Sequence, residues 1–541
     1  MKVEIQKISI PKILEEEKTP LVNQLLEIIQ QQSEQIQQQA QQIQQQAQKI
    51  QILKDEISKL KKLNSKPKIK PSNLDKNTDT DEEKINKKKK KNSSKRSKTK
   101  EIEIHETVVI QPDEIPEGSK FKGYSDFIVQ DIQIINHNVC YRRAQWETPS
   151  GEYVSGNLPN NVSSHFGNNL ISFILYQYYS CHVTQPLIYE QLNEFGIDIS
   201  TGQINNIIIE NKEQFHNEKD QILETGLTLS KYINVDDTGA RHSGKNGYCT
   251  HIGNEYFAWF ESTETKSRIN FLKLLQGENN DFVINDDSLE YMTRQKFPAY
   301  QLSNLSKENG RIFQSDTEWK EYLNSIEITS SKHIRIATEG AMIGSLIYHG
   351  FNKDLAIISD DAGQFNVFLH GLCWVHAERH VYKLIGVTEE QEELIKITRE
   401  KIWDLYKNLK IYKLNPDETK KNELEKEFDA LFKKRTGFSE LDEVLKRINK
   451  NKSELLLVLE RPDIPLHNNL SENDIREYVK KRKISGSTRS PTGKRCRDTF
   501  TSLKKTCRKL GISFWNYLND RINCTNNIPL LSDIIASKEK N

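Results

Sequence analysis

The sequence lacks the cysteine spacing that builds a disulfide scaffold or a zinc ribbon. Its seven cysteines are scattered over 541 residues, and no two form a Cys-x-x-Cys pair. No apolar run approaches the roughly 18 residues of a membrane span, and the N-terminus has no apolar core of signal-peptide length. These absences predict a soluble protein of a reducing, intracellular compartment, with no membrane partner.

Apolar residues are also scarce, at 35% of the chain. The first hundred residues, rich in Gln and Lys, account for much of this deficit and cannot bury a core of their own. The length allows about two to four domains. Because the formal net charge is only +2, a charged partner has to be recognised through local patches.

A heptad pattern runs through residues 21–64, after an N-terminal tail at 1–20. An apolar residue returns every seven places from Val22 to Ile57, and Leu26 begins a second row four positions later. This spacing predicts a parallel coiled coil that joins two or more copies of the chain. A low-complexity Gln tract without a fixed partner is the alternative.

Composition predicts the next boundaries. Residues 65–105 are polar and end in a lysine block, which is typical of a disordered basic linker that screens phosphates or serves as a plain tether. Residues 106–165 alternate apolar and polar side chains between Gly and Pro, which predicts a small β-rich module. Residues 519–541 form a C-terminal tail.

Residues 166–230 have helical spacing, with the turn "FGIDIS" between two short helices. This pattern is typical of a helix-turn-helix, with Ser200 or Thr201 as the cap of the second helix. Side chains able to read base edges would lie near the start of that helix, namely Gln203, Asn205 and Asn206. Plain helical packing without DNA is the alternative.

Two apolar segments each end in a pair of aspartates. "YINVDD" ends in Asp236 and Asp237 and reads as the first of three antiparallel strands, and "LAIISDD" ends in Asp360 and Asp361. A third acid, Glu472, stands at the head of a helical stretch. Three such carboxylates can hold two divalent ions for in-line attack on a phosphodiester, and their oxygens suit Mg²⁺ or Mn²⁺.

A basic run follows the glutamate. From Arg476 to Lys509 there are thirteen Lys and Arg residues and two acids. The acids described above would act on a polyanionic substrate, so the basic run beside them favours a surface that binds the DNA backbone. A solvated basic face is the alternative. The residues assigned to that surface are Arg476, Lys480, Lys481, Arg482, Lys483, Arg489, Lys494, Arg495 and Arg497.

Four motifs resemble those of DDE transposases of the insertion-sequence-66 family: "VDDTG", "SDDAGQF", "LCWVHAERH" and "PLHNNLSENDIREYVKKRKISGSTRS". The resemblance covers about Phe166 to Leu518. It implies an α/β (α+β) fold, a ribonuclease-H-like catalytic domain at 231–518 with a mixed five-stranded sheet, and a helical insertion at about 386–455. It also implies metal-dependent cleavage at transposon ends and strand transfer of the freed 3′ hydroxyl into target DNA.

Carried over position by position, the resemblance implies catalytic and metal-binding roles for Asp236, Asp360 and Glu472, with two Mg²⁺ or Mn²⁺ ions. Supporting roles fall to Asp237, Asp361, Cys373 and His376. The Cys-x-x-His pair is half of a zinc site without a second half, so packing near the active site is its favoured role. The implied partners are double-stranded DNA and further copies of the chain, in the bacterial cytoplasm with the nucleoid or in a eukaryotic nucleus.

Two departures and three rival functions remain. Only Cys140 occupies the region where many relatives carry a zinc module, and residues 276–350 are an insertion of unassigned role. "DTGA" at 237–240 also matches aspartic proteases, but an acid precedes it where an apolar residue is required and no second copy exists. The other rivals are a catalytically silent, domesticated DNA-binding protein and a nuclease for RNA–DNA hybrids.

Overall fold

The computed structural model describes residues 19–32, 34–36, 38–39, 42, 46, 103–111, 113–114, 119, 124–159, 162 and 164–540. The helical pattern is present where the heptads begin, at 20–32. Most of the predicted coiled coil and nearly all of the predicted linker lie outside the described residues. The central sheet and the site discussed below belong to one compact unit, made of residues 85–381 and 398–541.

A five-stranded mixed sheet forms the centre of this unit. The described residues contain nine strands: β1 (Gln145–Glu147), β2 (Tyr153–Ser155), β3 (Tyr232–His242), β4 (Lys245–Gly253), β5 (Ala258–Thr263), β6 (Phe282–Val283), β7 (Ile312–Phe313), β8 (Ala356–Ser359) and β9 (Leu369–Leu372). The central sheet has the order β5-β4-β3-β8-β9. Strands β3 to β5 are antiparallel neighbours, whereas β8 runs parallel to both β3 and β9. The predicted mixed five-stranded sheet is therefore confirmed.

Helices surround this sheet and make up most of the fold. In chain order the longer ones are α1 (Asn168–Leu175), α2 (Gln185–Glu194), α3 (Thr201–Ile209), α4 (Glu213–Leu229), α5 (Arg268–Gln276), α6 (Asp286–Arg294), α7 (Ala299–Ser306), α8 (Asp316–Ser325), α9 (Ser331–Tyr348), α10 (Trp374–Tyr382), α11 (Glu389–Leu414), α12 (Glu418–Phe432), α13 (Ser439–Lys450), α14 (Lys452–Leu455), α15 (Asn469–Ser485), α16 (Pro491–Leu510), α17 (Phe514–Asn523) and α18 (Leu531–Glu539). Among the described residues, no helix has the length and apolarity required to cross a membrane.

The edge strand β5 is covered by α16 through side-chain hydrogen bonds. Asp498, Ser502 and Thr506 accept the backbone N–H groups of alternate β5 residues at 2.8, 2.9 and 3.1 Å. Four residues along a helix advance about 6 Å and two along a strand about 6.6 Å, so the two spacings match. This match protects an edge that would otherwise offer unpaired donors. It also buries much of a helix that the sequence presented as basic surface.

The insertion between Asp236 and Asp360 is a folded element. Residues 282–348 contain the antiparallel β6–β7 pair and helices α6 to α9, and α9 is buried along much of its length. Gly344 allows α9 to lie against β6, since a Cβ at this position would be 2.1 Å from the Val283 carbonyl oxygen.

The region predicted as a β-rich module contains fewer strands than expected. Among the described residues between 103 and 166, only β1 and β2 form strands, each three residues long. Residues 124–144 form neither helix nor strand, and Phe127, Ile132 and Ile135 are exposed. An alternating sequence becomes a strand only beside a hydrogen-bonding neighbour, and for most of this region the chain itself provides none.

Candidate active site

Asp236 and Asp360 follow the residues that pair β3 with β8 in parallel. In that pairing Asn234 lies opposite Ile358. Two residues further along each segment stand Asp236 and Asp360, so the same register, continued past the last paired residues, would set them opposite each other. Neighbouring strands are about 4.8 Å apart and residues in the same register point to the same face. The fold thus brings together two acids that lie far apart in the sequence.

The prediction that the first strand ends at Asp237 is wrong. β3 continues to His242, paired with β4 as far as Lys245. The residues of β3 after Asp237 carry few buried apolar side chains. The apolar pattern in the sequence therefore reveals only the first, buried half of the strand. Asp360, in contrast, directly follows β8 as predicted.

The Asp236 carboxyl lies in a region of excess negative charge. Burial is the largest cause that raises its pKa, followed by the charge of Asp360, and together with smaller contributions from Asp237 and Glu472 they bring the pKa to about 7. A hydrogen bond at 2.7 Å from the Asp237 backbone N–H opposes this shift. A site that disfavours its own ionised carboxylates favours a bound cation.

Asn468 ties the start of α15 to β3, beside Asp236. Its side-chain amide donates to the Val235 carbonyl oxygen at 2.8 Å and accepts from the Asn234 amide at 2.9 Å. Its backbone N–H donates to the Cys373 Sγ at 3.1 Å. The Glu472 backbone N–H bonds to the Asn468 carbonyl oxygen one turn later, at 3.3 Å. Glu472 therefore lies in the first turn of a helix anchored next to Asp236.

His251 anchors the same helix from β4. It is opposite Asp236 in the β3–β4 register and is completely buried. Its Nδ1 lies 2.9 Å from the Ser471 Oγ, and its Nε2 lies 3.2 Å from an Asp474 carboxylate oxygen. Burial would raise the pKa of Asp474, but His251 and two lysines of α16 outweigh it and hold that pKa well below its usual range.

The Glu472 carboxylate is paired with Arg379 of α10 and lies close to His376 of the same helix. Its Oε1 lies 3.4 Å from the Arg379 Nη2 and 3.5 Å from the His376 Nε2. The Arg379 Nη1 also donates to the His376 Nε2 at 3.1 Å. Sequence reasoning had placed His376 near the site but missed Arg379, although the three-residue spacing in "HAER" puts both on one helix face.

The second aspartate of each pair has partners of its own. Asp237 accepts from the Thr250 hydroxyl at 2.5 Å and from the Gln364 amide at 2.9 Å. Asp361 accepts from the Arg447 guanidinium and, at 3.2 Å, from the Asn451 amide. Both latter partners belong to the segment around α13, so Asp361 ties the loop after β8 to the helical insertion.

The acids have the oxygen ligands of a magnesium site, but their side chains are not arranged closely enough to hold an ion. Among the described residues, no group of three or more His, Cys, Asp or Glu side chains is placed to hold a metal ion. The oxygen donors and the excess negative charge at Asp236 fit Mg²⁺ or Mn²⁺. Burial raises the pKa of the Cys373 thiol to about 11, and its Sγ accepts the Asn468 backbone N–H at 3.1 Å.

Comparison with known proteins identifies the chain. The model of the transposase IS66 family matches residues 347–495, which contain Asp360, Arg379 and Glu472. The uncharacterized protein y4jO of Sinorhizobium fredii is 43% identical over 320 residues, which are 59% of this chain and 100% of that relative. The chain belongs to the transposase IS66 family. DNA is therefore its class of partner.

In this IS66-family chain, part of the predicted basic surface is internal. Lys481 is buried, donates to the Tyr178 carbonyl oxygen at 2.7 Å and lies 3.4 Å from the centre of the Tyr178 ring. Burial and the charges of Arg497 and Lys504 lower its pKa to about 7. Arg497 is buried too and donates to the Gly486 carbonyl oxygen at 3.2 Å.

Helical periodicity explains this correction. Lys481 lies four and seven residues after Glu477 and Asp474, so it shares their buried side of α15. The assigned residues that stay exposed or half-buried are Arg476, Lys480, Arg482, Lys483, Arg489, Lys494 and Arg495.

The helix-turn-helix-like residues of this chain occupy α2 and α3. The Ser200 hydroxyl accepts the Gln203 backbone N–H at 3.1 Å, so Ser200 is the cap. Asn205 accepts from the Gln185 side chain of α2 at 3.2 Å. Gln203, Asn205 and Asn206 are all half-buried.

Proposed function

We propose that this protein is a DDE transposase, which cleaves DNA at transposon ends and joins the freed 3′ hydroxyl to target DNA. The matched register of Asp236 and Asp360, with the Glu472 helix anchored beside them, is the observation that carries the proposal. Strands β3 to β5, β8 and β9 would form the sheet of a ribonuclease-H-like domain at 231–518.

Asp236, Asp360 and Glu472 would hold divalent Mg²⁺ or Mn²⁺ ions in this function. Such ions, when bound, supply charge for the transferring phosphoryl group and lower the pKa of a water nucleophile. The protein contributes rigidity: strand pairing fixes the two aspartates, and Asn468 and His251 fix the glutamate helix. Prepositioned groups of this kind spare the reaction a reorganisation step.

The exposed cations of α15 would carry the DNA backbone past the acids. Arg476, Lys480 and Lys483 are all exposed, and Arg482 donates to the carbonyl oxygen of Gly239 on the extended end of β3. Phosphate contacts of this kind position DNA without reading its sequence. Base reading would fall to α3, through the side chains named above.

Pairing of two copies would synapse two DNA ends through the predicted coiled coil at 21–64. In its described helical part, Ile29 and Ile36 are 42% and 48% exposed and stand seven residues apart on the predicted seam. Two apolar side chains in this position are covered when helices pair. The protein would act where its DNA is, in the nucleoid region of a bacterial cytoplasm or in a nucleus.

A catalytically silent, domesticated DNA-binding protein is the second candidate. One observation favours it: the described residues contain no closed group of three metal-ligating side chains, and Glu472 is paired with Arg379. This candidate keeps the DNA surface and the coiled coil but does not cleave.

Metal-dependent cleavage distinguishes the two candidates. Purified full-length protein is incubated with Mg²⁺ or Mn²⁺ and linear DNA that carries the inverted repeats flanking its coding region. We expect nicking by the wild type and by Asp404→Ala, an exposed acid paired with Lys407, but not by Asp236→Ala or Glu472→Ala. DNA binding without cleavage by the wild type would establish the silent protein, and cleavage of RNA–DNA hybrids alone would establish a nuclease.

A further inference from the structure

Arg379 is held at the candidate active site, and the proposed chemistry gives it no role. Its guanidinium bridges the Glu472 carboxylate, at 3.4 Å, and the His376 ring, at 3.1 Å. All three side chains are mostly buried, with exposed fractions of 14% for Arg379, 20% for His376 and 25% for Glu472. An ion pair shielded to this degree is weakened little by salt.

The pairing directs Glu472 towards α10. The three acids influence one another electrostatically, since the charges of both Asp360 and Glu472 raise the pKa of Asp236. Nevertheless, no three His, Cys, Asp or Glu side chains among the described residues lie close enough together to hold a metal ion. The Oε1 that faces Arg379 is thus an oxygen unavailable to a cation on the aspartate side. The backbone around Glu472 is already anchored by Asn468, so only its side chain has to turn.

A DNA phosphate would compete for the same guanidinium. Arginine offers a planar fork of donors that binds phosphate as well as carboxylate through paired hydrogen bonds. Phosphates reach this site in the proposed function, because the exposed cations of α15 follow directly after Glu472. One arginine can therefore exchange an internal carboxylate for a substrate phosphate.

We propose that Arg379 is a positioning residue that withholds Glu472 in the DNA-free protein and releases it when a DNA phosphate takes over the guanidinium. The released carboxylate then completes the cation site with Asp236 and Asp360. This inference rests on the proposed function and adds a regulatory step to it: DNA binding and metal binding favour each other. By linkage, each ligand must tighten the other by the same factor.

The first test measures Mn²⁺ binding to the full-length protein without DNA, by calorimetry. We expect Arg379→Gln to bind Mn²⁺ about tenfold more tightly than the wild type, within the range usual for coupled sites. Arg294→Gln is the matched control, because Arg294 is exposed and forms an ion pair with Glu290 four residues before it, and it should leave the affinity unchanged. An unchanged or weaker affinity in Arg379→Gln would overturn the proposal.

A double variant separates release of Glu472 from simple removal of a nearby positive charge. If Arg379 acts through Glu472, Arg379→Gln has no effect on Mn²⁺ affinity in a Glu472→Gln background. A gain that persists there would assign the effect to charge alone and reject the positioning role. Arg379→Lys keeps the charge but loses the fork, so we expect an intermediate Mn²⁺ affinity, and it replaces Arg379→Gln if that variant does not fold.

The second test measures the coupling itself. Binding of a short fluorescent duplex that lacks transposon ends is followed by anisotropy with and without Mn²⁺. We expect Mn²⁺ to tighten binding about tenfold for the wild type and less than about twofold for Arg379→Gln. Equal coupling in both proteins would refute the inference while cleavage by the wild type still stood, whereas absence of cleavage would refute the proposed function independently.

Discussion

Replacing Asp236 with asparagine should stabilise the fold while it removes the proposed chemistry. The pKa of this carboxyl is raised from 3.8 to about 7, first by burial and then by Asp360. A raised pKa means that the folded protein disfavours the ionised form. The side chain therefore contributes its full stability below pH 3.8 and loses it as the pH rises through about 7.

The magnitude follows from the shift. About three pKa units at 1.36 kcal/mol each correspond to about 4 kcal/mol above pH 8, an upper limit because the side chain keeps some contact with solvent. Asparagine has nearly the same shape but no charge, and its buried amide costs about 1 kcal/mol if it finds no partner. We expect Asp236→Asn to raise the free energy of unfolding by about 2 to 3 kcal/mol at pH 8 and by less than about 1 kcal/mol at pH 4.

The assay is urea denaturation of the metal-free protein at both pH values. Tryptophan fluorescence suits it, because Trp259 of β5 and Trp374 of α10 are buried. Asp404→Asn, at an exposed site, should change stability by less than about 0.5 kcal/mol at either pH. Excess Mg²⁺ should stabilise the wild type and not Asp236→Asn, by about 2.7 kcal/mol at one hundred times the dissociation constant.

Two results would refute this reasoning. If Asp236→Asn is less stable than the wild type at pH 8, the carboxylate is not under electrostatic stress. If its gain in stability is the same at pH 4 and pH 8, the effect comes from packing rather than from charge. Either outcome would remove the argument that the site attracts a cation, whatever the protein does to DNA.

Three further expectations concern the anchor, the DNA surface and the seam. Asn468→Ala should lower the free energy of unfolding by about 2 to 4 kcal/mol, since Asn234 and a backbone carbonyl lose their buried partner, as thermal or urea unfolding would measure. Lys480→Gln should reduce the slope of log affinity against log salt for DNA by about one, whereas Lys481→Met should leave the slope unchanged. Ile29→Lys should convert oligomers to monomers in light scattering.

Each of these has a control outside the feature tested. Asn473→Ala removes an exposed amide whose oxygen accepts from Arg476 at 2.8 Å. If it lowers the free energy of unfolding as much as Asn468→Ala does, the anchoring role of Asn468 is contradicted. A salt slope that falls equally for both lysine variants would contradict the burial of Lys481. Gln31→Lys lies off the seam, so dissociation by this variant as well would show that added charge, and not the seam, is responsible.

Local pattern alone determined several elements of this IS66-family protein. The continuous apolar run from Leu355 to Ile358 predicted the buried strand before Asp360, since a strand covered on both faces needs no polar alternation. Ser200 as a cap and Glu472 in the first turn of a helix were also local, because a helix start requires partners for its free N–H groups. These features depend on neighbours within a few residues.

Only the tertiary structure decided what the acids meet. Register between β3 and β8 puts Asp236 beside Asp360, and register is a property of pairing that neither strand carries alone. The same holds for Arg379 against Glu472 and for the buried Lys481, which meet partners far away in the sequence, on α10 and at Tyr178. The sequence does not show whether a charged side chain faces solvent, DNA or a buried carboxylate. The stem of Lys or Arg is long and flexible, so the surrounding packing decides which partner the charged group contacts.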